Sequence, residues 1–169
     1  IKLADLGSIQ AAGEYSSVGF GSIDQSVLER SMSEYKAFDV SANLEMGKLL
    51  GPESRLSIPV YAAYSKKVET PEYSPYDSDV KLKTALDMTD TKEEKDSIKT
   101  LSLTTETTKS LNVSNMRLKP AKGKPAKIYS PSNLSASYAY TETELADPET
   151  QYDLSKETNA TIAYNYTTT

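Results

Sequence analysis

From Phe38 to Ser65 the chain alternates almost without interruption. Phe38, Val40, Ala42, Leu44 and Met46 are separated by Asp39, Ser41, Asn43, Glu45 and Gly47; after the Lys48–Ser54 break, Leu56, Ile58, Val60, Ala62 and Tyr64 are separated by Ser57, Pro59, Tyr61, Ala63 and Ser65. A period of two puts alternate side chains on opposite sides of a strand, so the pattern predicts strands at 36–48 and 55–66, each with one apolar face. Gly51-Pro52 supplies the turn between them. A hairpin centred on Gly51 pairs Met46 with Leu56 and Phe38 with Tyr64, and brings Lys36 and Lys66 together beyond the aromatic pair. Pro59 has no N–H to give to a ladder, which predicts an irregularity there.

The same alternation recurs twice near the C-terminal end. Leu134, Ala136, Tyr138 and Tyr140 oppose Ser135, Ser137, Ala139 and Thr141, predicting a strand at 132–143. Ala160, Ile162, Tyr164 and Tyr166 oppose Asn159, Thr161, Ala163 and Asn165, predicting another at 157–168, with a turn at Ala146–Thr150 between them. Weaker patterns mark strands at 9–17 (Ile9, Ala11, Gly13, Tyr15) and 109–118. The second of these switches its apolar side, from Leu111 and Val113 to Met116 and Leu118, which predicts a bulge or an early end of the strand. Between Tyr64 and Ser110 the period changes. A proline-broken stretch leads into a helical loop at 79–102, with a short helix carrying Val80, Leu82 and Leu86 capped by Ser78 or Asp79. A second helix starts at Asp90 or Thr91 with Glu93 or Glu94 completing a capping box, and this loop is expected to lie against another part of a larger protein. The predicted fold class is all-β: an antiparallel up-and-down meander with a helical loop insertion.

Two environments fit the apolar side of such strands. In a membrane wall, Phe38, Val40, Ala42, Leu44, Met46, Leu56, Ile58, Val60, Ala62, Tyr64, Leu134, Ala136, Tyr138, Tyr140, Ile162, Tyr164 and Tyr166 face lipid. Ser41, Asn43, Glu45, Ser57, Tyr61, Ser135, Ser137 and Asn165 then face water in a lumen. The uncharged run of about nine residues per strand is close to what a tilted strand needs to cross a bilayer, and aromatics flanked by lysines suit its boundary. The alternative is a soluble β-sandwich that binds at a surface, whose inner faces alternate in the same way.

Composition narrows the chemistry. Of 169 residues 37% are hydrophobic, with Trp 0 and Phe 2 but Tyr 12, thin material for a core and good material for half-wet strands. Cys 0 and His 0 remove thiolate sites, the commonest general base and the commonest transition-metal ligand. A net charge of -5 argues against nucleic-acid binding. No apolar stretch is long enough for a transmembrane helix, no signal peptide is visible, and the sequence reads as cut from the middle of something longer. Asp87, Asp90, Glu93, Glu94 and Asp96 form an acidic cluster that reads as a solvated helix laced with Lys92, Lys95 and Lys99, without the calcium-loop pattern. Arg117–Lys127 is a basic connector suited to phosphate-bearing headgroups or an acidic partner, or simply to water. The four N-x-[ST] triplets at Asn112, Asn133, Asn159 and Asn165 read as chance, and no phosphate loop is present. The expectation is a protein without catalytic residues, cofactor or metal.

Longer words in the sequence carry a family likeness. Asp5–Ile9, Gly19–Ser31, Asn43–Lys48, Ser57–Ser65, Pro71–Asp79, Tyr138–Glu144 and Gln151–Leu154 follow one another in an order that resembles an internal stretch of the SprA/Sov family, the outer-membrane translocon of the Bacteroidetes type IX secretion system. The resemblance implies an arc of a very large outer-membrane β-barrel that exports folded cargo and is linked to gliding motility. It further implies as partners the rest of that barrel, a periplasmic plug, cell-surface translocon proteins, secreted cargo and the lipid bilayer. It brings no catalytic residues. A segment of another outer-membrane transporter barrel is the remaining alternative. In Bacteroidetes the Asp96-Ser97-Ile98 triplet also resembles a short O-glycosylation motif, too short to weigh.

Overall fold

The computed structural model describes residues 2–3, 5–26, 29–51, 54–120 and 127–166. Pro52 of the expected turn, residues 121–126 of the basic connector and 167–168 of the last expected strand lie outside that set. In chain order the elements are β1 (Lys2–Leu3), β2 (Gly7–Ser16), β3 (Ser33–Glu45), β4 (Leu56–Ser57), β5 (Pro59–Pro71), β6 (Tyr73–Ser74) and β7 (Asp77–Lys81). Helices α1 (Leu82–Asp87) and α2 (Lys92–Ser102) follow, then β8 (Thr104–Leu118), β9 (Leu134–Ala146) and β10 (Asp153–Tyr164).

One antiparallel sheet holds all the strands except β6 and β7, in the order β1-β2-β3-β5-β8-β9-β10, with β4 continuing β5 along β8. Apart from the excursion between β5 and β8, neighbours in sequence are neighbours in space, which makes this an up-and-down meander. The strands are longer than the apolar alternation alone predicts: β5 runs to Pro71, β8 starts at Thr104 and β9 ends at Ala146. The added ends are polar, so only their ladder hydrogen bonds reveal them.

The register of the central hairpin differs from the sequence expectation. Val40 pairs with Tyr64, Ala42 with Ala62 and Leu44 with Val60, while Phe38 stands opposite Lys66 and Lys36 opposite Val68. The cause lies at the closed end. Met46–Leu50 coil into a 3-10 turn instead of extending β3, which moves Met46 out of the strand and shifts the pairing by two residues. A shift of two leaves every side chain on the face it was assigned. Ile58 falls between β4 and β5, its carbonyl accepting from Met46 N–H (2.9 Å) and its N–H donating to Glu45 Oε1 (2.7 Å). Pro59 sits at the first residue of β5, where a missing N–H is tolerated. Gly47 is required where the two arms meet, because a Cβ there would lie 2.0 Å from the Leu56 carbonyl oxygen.

The face switch in β8 is a bulge. Val113 pairs with Tyr138 but Met116 pairs with Ala136, so β8 spends one residue more than β9 between those pairs. Asn115 absorbs it at φ 51°, in the left-handed region that Asn tolerates better than most residues, and its N–H donates to the Ser137 hydroxyl at 2.9 Å. The excursion between β5 and β8 is a small folded unit. Its hairpin β6–β7 is too short for a periodic signal, and Val80 belongs to β7, so α1 starts after Lys81 with no side-chain cap rather than at Ser78 or Asp79. Thr91 caps α2 as expected, accepting from the Glu94 N–H. Leu82, 3% exposed, is the one buried hydrophobic side chain among the described residues, and it lies in this insertion rather than under the sheet.

The bulge yields a direct test. Asn115→Val should cost about 1–2 kcal/mol, the penalty of a branched residue in a left-handed conformation, and should speed amide hydrogen exchange along β8 and β9 in the full-length protein. Asn115→Gly should leave that exchange unchanged.

Candidate functional site

The candidate site is a surface rather than a pocket. On one face, β2 presents Ile9, Ala11, Gly13 and Tyr15, and β3 presents Leu44, Ala42, Val40 and Phe38. Val60, Ala62 and Tyr64 continue it on β5, Val113 and Leu111 on β8, Leu134, Ala136, Tyr138 and Tyr140 on β9, and Ala160, Ile162 and Tyr164 on β10. These positions carry no charged side chain. Nothing among the described residues covers them: Phe38 is 52%, Tyr15 61% and Ile162 79% exposed. Leu56 extends the face on β4, opposite Leu118. Met46 and Ile58 stand at the turn end, off the regular strands, and Tyr166 just beyond β10.

The opposite face carries polar and small side chains. Ser41, Asn43, Glu45, Ser57, Tyr61, Ser135 and Ser137 share it, and Asn165 follows β10 with its N–H on the Asn133 carbonyl at 2.7 Å. The site residues picked from sequence leave out Gln10, Glu14, Asp39, Ser65, Ser110, Asn112 and Thr161, which join the same face. They also leave out Ile9, Tyr15, Leu111 and Val113 on the apolar side. Extending the period-2 rule into β2 and β8 finds all of them.

The apolar band has a slanted edge. Tyr15 stands opposite Lys36, Phe38 opposite Lys66, and Tyr64 opposite Lys109. Each strand's last aromatic thus faces the next strand's lysine, and the next aromatic sits two residues lower. The row through Tyr15 crosses Lys36, Val68 and Thr105 and reaches β9 at Ala146, whereas the aromatic limit of β9 is Tyr140, six residues lower. Six residues at about 3.3 Å, against four strand spacings of about 4.8 Å, set the edge at about 45° to the strands.

Beyond that edge the same face is charged and self-neutralising. Lys36 pairs with Glu34 and lies 5.7 Å from the centre of the Tyr15 ring. Lys109 bridges Glu142 (2.9 Å) and Glu144 (3.1 Å), Lys156 reaches Glu142 at 3.2 Å, and the Tyr140 hydroxyl donates to Glu142 at 2.6 Å. In the β9–β10 turn Asp147 accepts the N–H groups of Thr150 (2.7 Å) and Glu149 (2.8 Å), which hold its carboxyl below the usual range. That contribution is present above the unfolded pKa and is lost as pH falls below about 4 through the lowered folded value.

The acidic cluster is dispersed and exposed. Asp87 ends α1, Asp90 precedes α2, and Glu93, Glu94 and Asp96 follow within it. Asp90, Glu93 and Glu94 border an open cleft with Met88, Thr89, Ser97 and Ile98.

Comparison with known proteins gives one result. The model of the SprA_N family, described as motility related/secretion protein, matches residues 1–86, from β1 through most of α1. No curated protein matches the chain.

The charge network should contribute modestly to stability despite its size, because Lys109 and Lys156 are half exposed even though the Glu142 side chain they share is only 14% exposed. Glu142→Gln is expected to shift the unfolding free energy of the full-length protein by no more than about 1 kcal/mol, read from its denaturation midpoint.

Proposed function

Because the chain belongs to the SprA_N family of motility- and secretion-related proteins, we propose that it is part of the wall of a protein-conducting outer-membrane channel that exports folded cargo by type IX secretion. The slanted aromatic edge carries this reading. A strand that crosses a membrane in a barrel is tilted by about 35–45°, so on its lipid face the water boundary must step down from one strand to the next. A step of about 1.5 residues per strand is what such a tilt requires, and the Tyr15, Phe38, Tyr64 and Tyr140 series supplies it. The aromatics mark the headgroup level, and the lysines and ion pairs beyond them stand in water.

The mechanism follows from the two faces. Lipid covers the apolar face, while the hydroxyl, amide and carboxylate groups opposite line a wet lumen. Many lumen-side positions are small, Ala12, Ser41, Ala63, Ser65, Ser110, Ser137 and Ala139 among them, which leaves a folded cargo few side chains to catch on. The wall does no chemistry; selectivity and gating belong to loops and partners. Both outer edges, β2 with β1 and β10, offer backbone groups that must pair with further strands, since no unpaired edge is viable in lipid. A soluble sandwich is disfavoured by the uncovered apolar face, and nothing favours another transporter barrel over the family's own function.

The test compares arginine at neighbouring positions in the full-length protein. Ala42→Arg and Val60→Arg put a charge inside the uncharged band, at a cost of about 2–4 kcal/mol each. They should lower the yield of assembled outer-membrane protein and the amount of cargo in the medium. Asn43→Arg should leave both unchanged. Equal tolerance at all three positions would refute the lipid-facing assignment.

A further inference from the structure

We propose that Lys127, Ile128 and Tyr129 form a foot that docks on anionic phospholipid headgroups at the turn end of the wall; the proposal rests on the apolar face meeting lipid. Ile128 is 61% and Tyr129 75% exposed, yet the backbone that carries them is tightly held. Asn133, only 7% exposed, donates through its side-chain amide to the carbonyls of Lys127 (2.9 Å) and Ile128 (3.1 Å). The Tyr164 hydroxyl also donates to the Ile128 carbonyl, and Ser130 N–H closes a turn on the Lys127 carbonyl at 2.8 Å. Tyr164 belongs to the apolar face and pairs with Leu134 at its lower limit. The segment is therefore pinned at the end of the uncharged band of β9 and β10, with two apolar side chains displayed and unpacked.

Two further observations say what those side chains meet. From Leu134 to Tyr140 the uncharged run of β9 covers about 20 Å along the strand. Tilted by about 45°, it spans only about 14 Å of an apolar band that is about 25 Å tall in such barrels. Ile128 and Tyr129 stand beyond the lower end of this run, past Leu134, where further apolar side chains lengthen it. Charge supplies the second observation. Lys127 closes a stretch, 117 to 127, that contains five cations and no acid in a chain of net charge -5. The turn at the other end of β9 and β10 carries Asp147, Glu149 and Asp153 instead. The Lys127 ammonium lies 5.8 Å from the Tyr129 ring, so its stem follows the aromatic, and among the described residues no carboxylate pairs with its head. An apolar pair with a lysine beside it matches the layer where acyl chains give way to anionic headgroups.

The experiment places a photo-crosslinking residue in the full-length protein by Ile128→p-benzoylphenylalanine, in nanodiscs of equimolar phosphatidylcholine and phosphatidylglycerol. Ala42→p-benzoylphenylalanine reports the middle of the band, and Met88→p-benzoylphenylalanine reports the insertion. The proposal predicts lipid adducts at 42 and 128 but not at 88, with phosphatidylglycerol favoured at 128. Adding Lys127→Gln should lower that preference about fivefold, the equivalent of about 1 kcal/mol for one lysine at the surface, and Lys127→Arg should retain it. Adducts at 42 without adducts at 128 would overturn the foot and leave the wall intact. Equal labelling of both lipids at 128, indifferent to Lys127→Gln, would overturn the anionic-headgroup assignment. Absence of lipid at 42 as well would instead count against the wall itself.

Discussion

The register of β3 against β5 is the constraint on which the rest depends, and Glu45 clamps it. Its carboxylate accepts from the Ile58 N–H at 2.7 Å and the Ser57 hydroxyl at 3.1 Å, while Met46 N–H is bound to the Ile58 carbonyl. These contacts fix the closed end of the hairpin in one alignment. A slip of one residue there would exchange the two faces along the whole of β5 and strand Tyr61, Ser65 and Lys67 on the apolar side. A slip of two would keep the faces but break the aromatic–lysine pairing that gives the band its slope.

That slope connects chemistry to architecture. Antiparallel strands pair across a sheet at right angles to their length, so an environment perpendicular to the strands would produce an edge following the ladder rows. The edge instead descends across them, from Tyr15 to Tyr140. Tilted strands crossing a planar boundary give that result without further assumption. In the proposed wall, the same geometry accounts for the absence of charge inside the band and for its pairing around Glu142 and Lys109 beyond it. It also explains why the sheet lacks a core of its own: Leu82, the one buried apolar side chain described, belongs to the insertion.

Much of this was legible in the sequence because strand faces are written in a period of two. The sides taken by Phe38 to Leu44, Val60 to Tyr64 and Leu134 to Tyr140 follow from parity alone. The parity change between Val113 and Met116 allowed either a bulge or an early strand end, and the pairing of Met116 with Ala136 decides for the bulge. Register is less legible. It depends on how many residues a turn consumes, and the 3-10 coil at Met46–Leu50 looks, by alternation, like more strand. The polar ends of β5, β8 and β9 leave no apolar trace, and the two residues of β6 are too few to show a period. The slanted edge needs the registers of five strands at once, so it emerged only when Tyr15, Phe38 and Tyr64 could be set beside Lys36, Lys66 and Lys109.

A cysteine scan from Ala37 to Leu44 in the full-length protein, in intact outer membranes, tests the central claim most directly. Each position would be challenged with a small water-soluble maleimide and then with a membrane-soluble one. The account predicts that positions 37, 39, 41 and 43 react with the water-soluble reagent, while 38, 40, 42 and 44 react only with the membrane-soluble one. Equal reactivity with the water-soluble reagent at all eight positions would show that both faces of β3 meet water, and would contradict a lipid-facing wall.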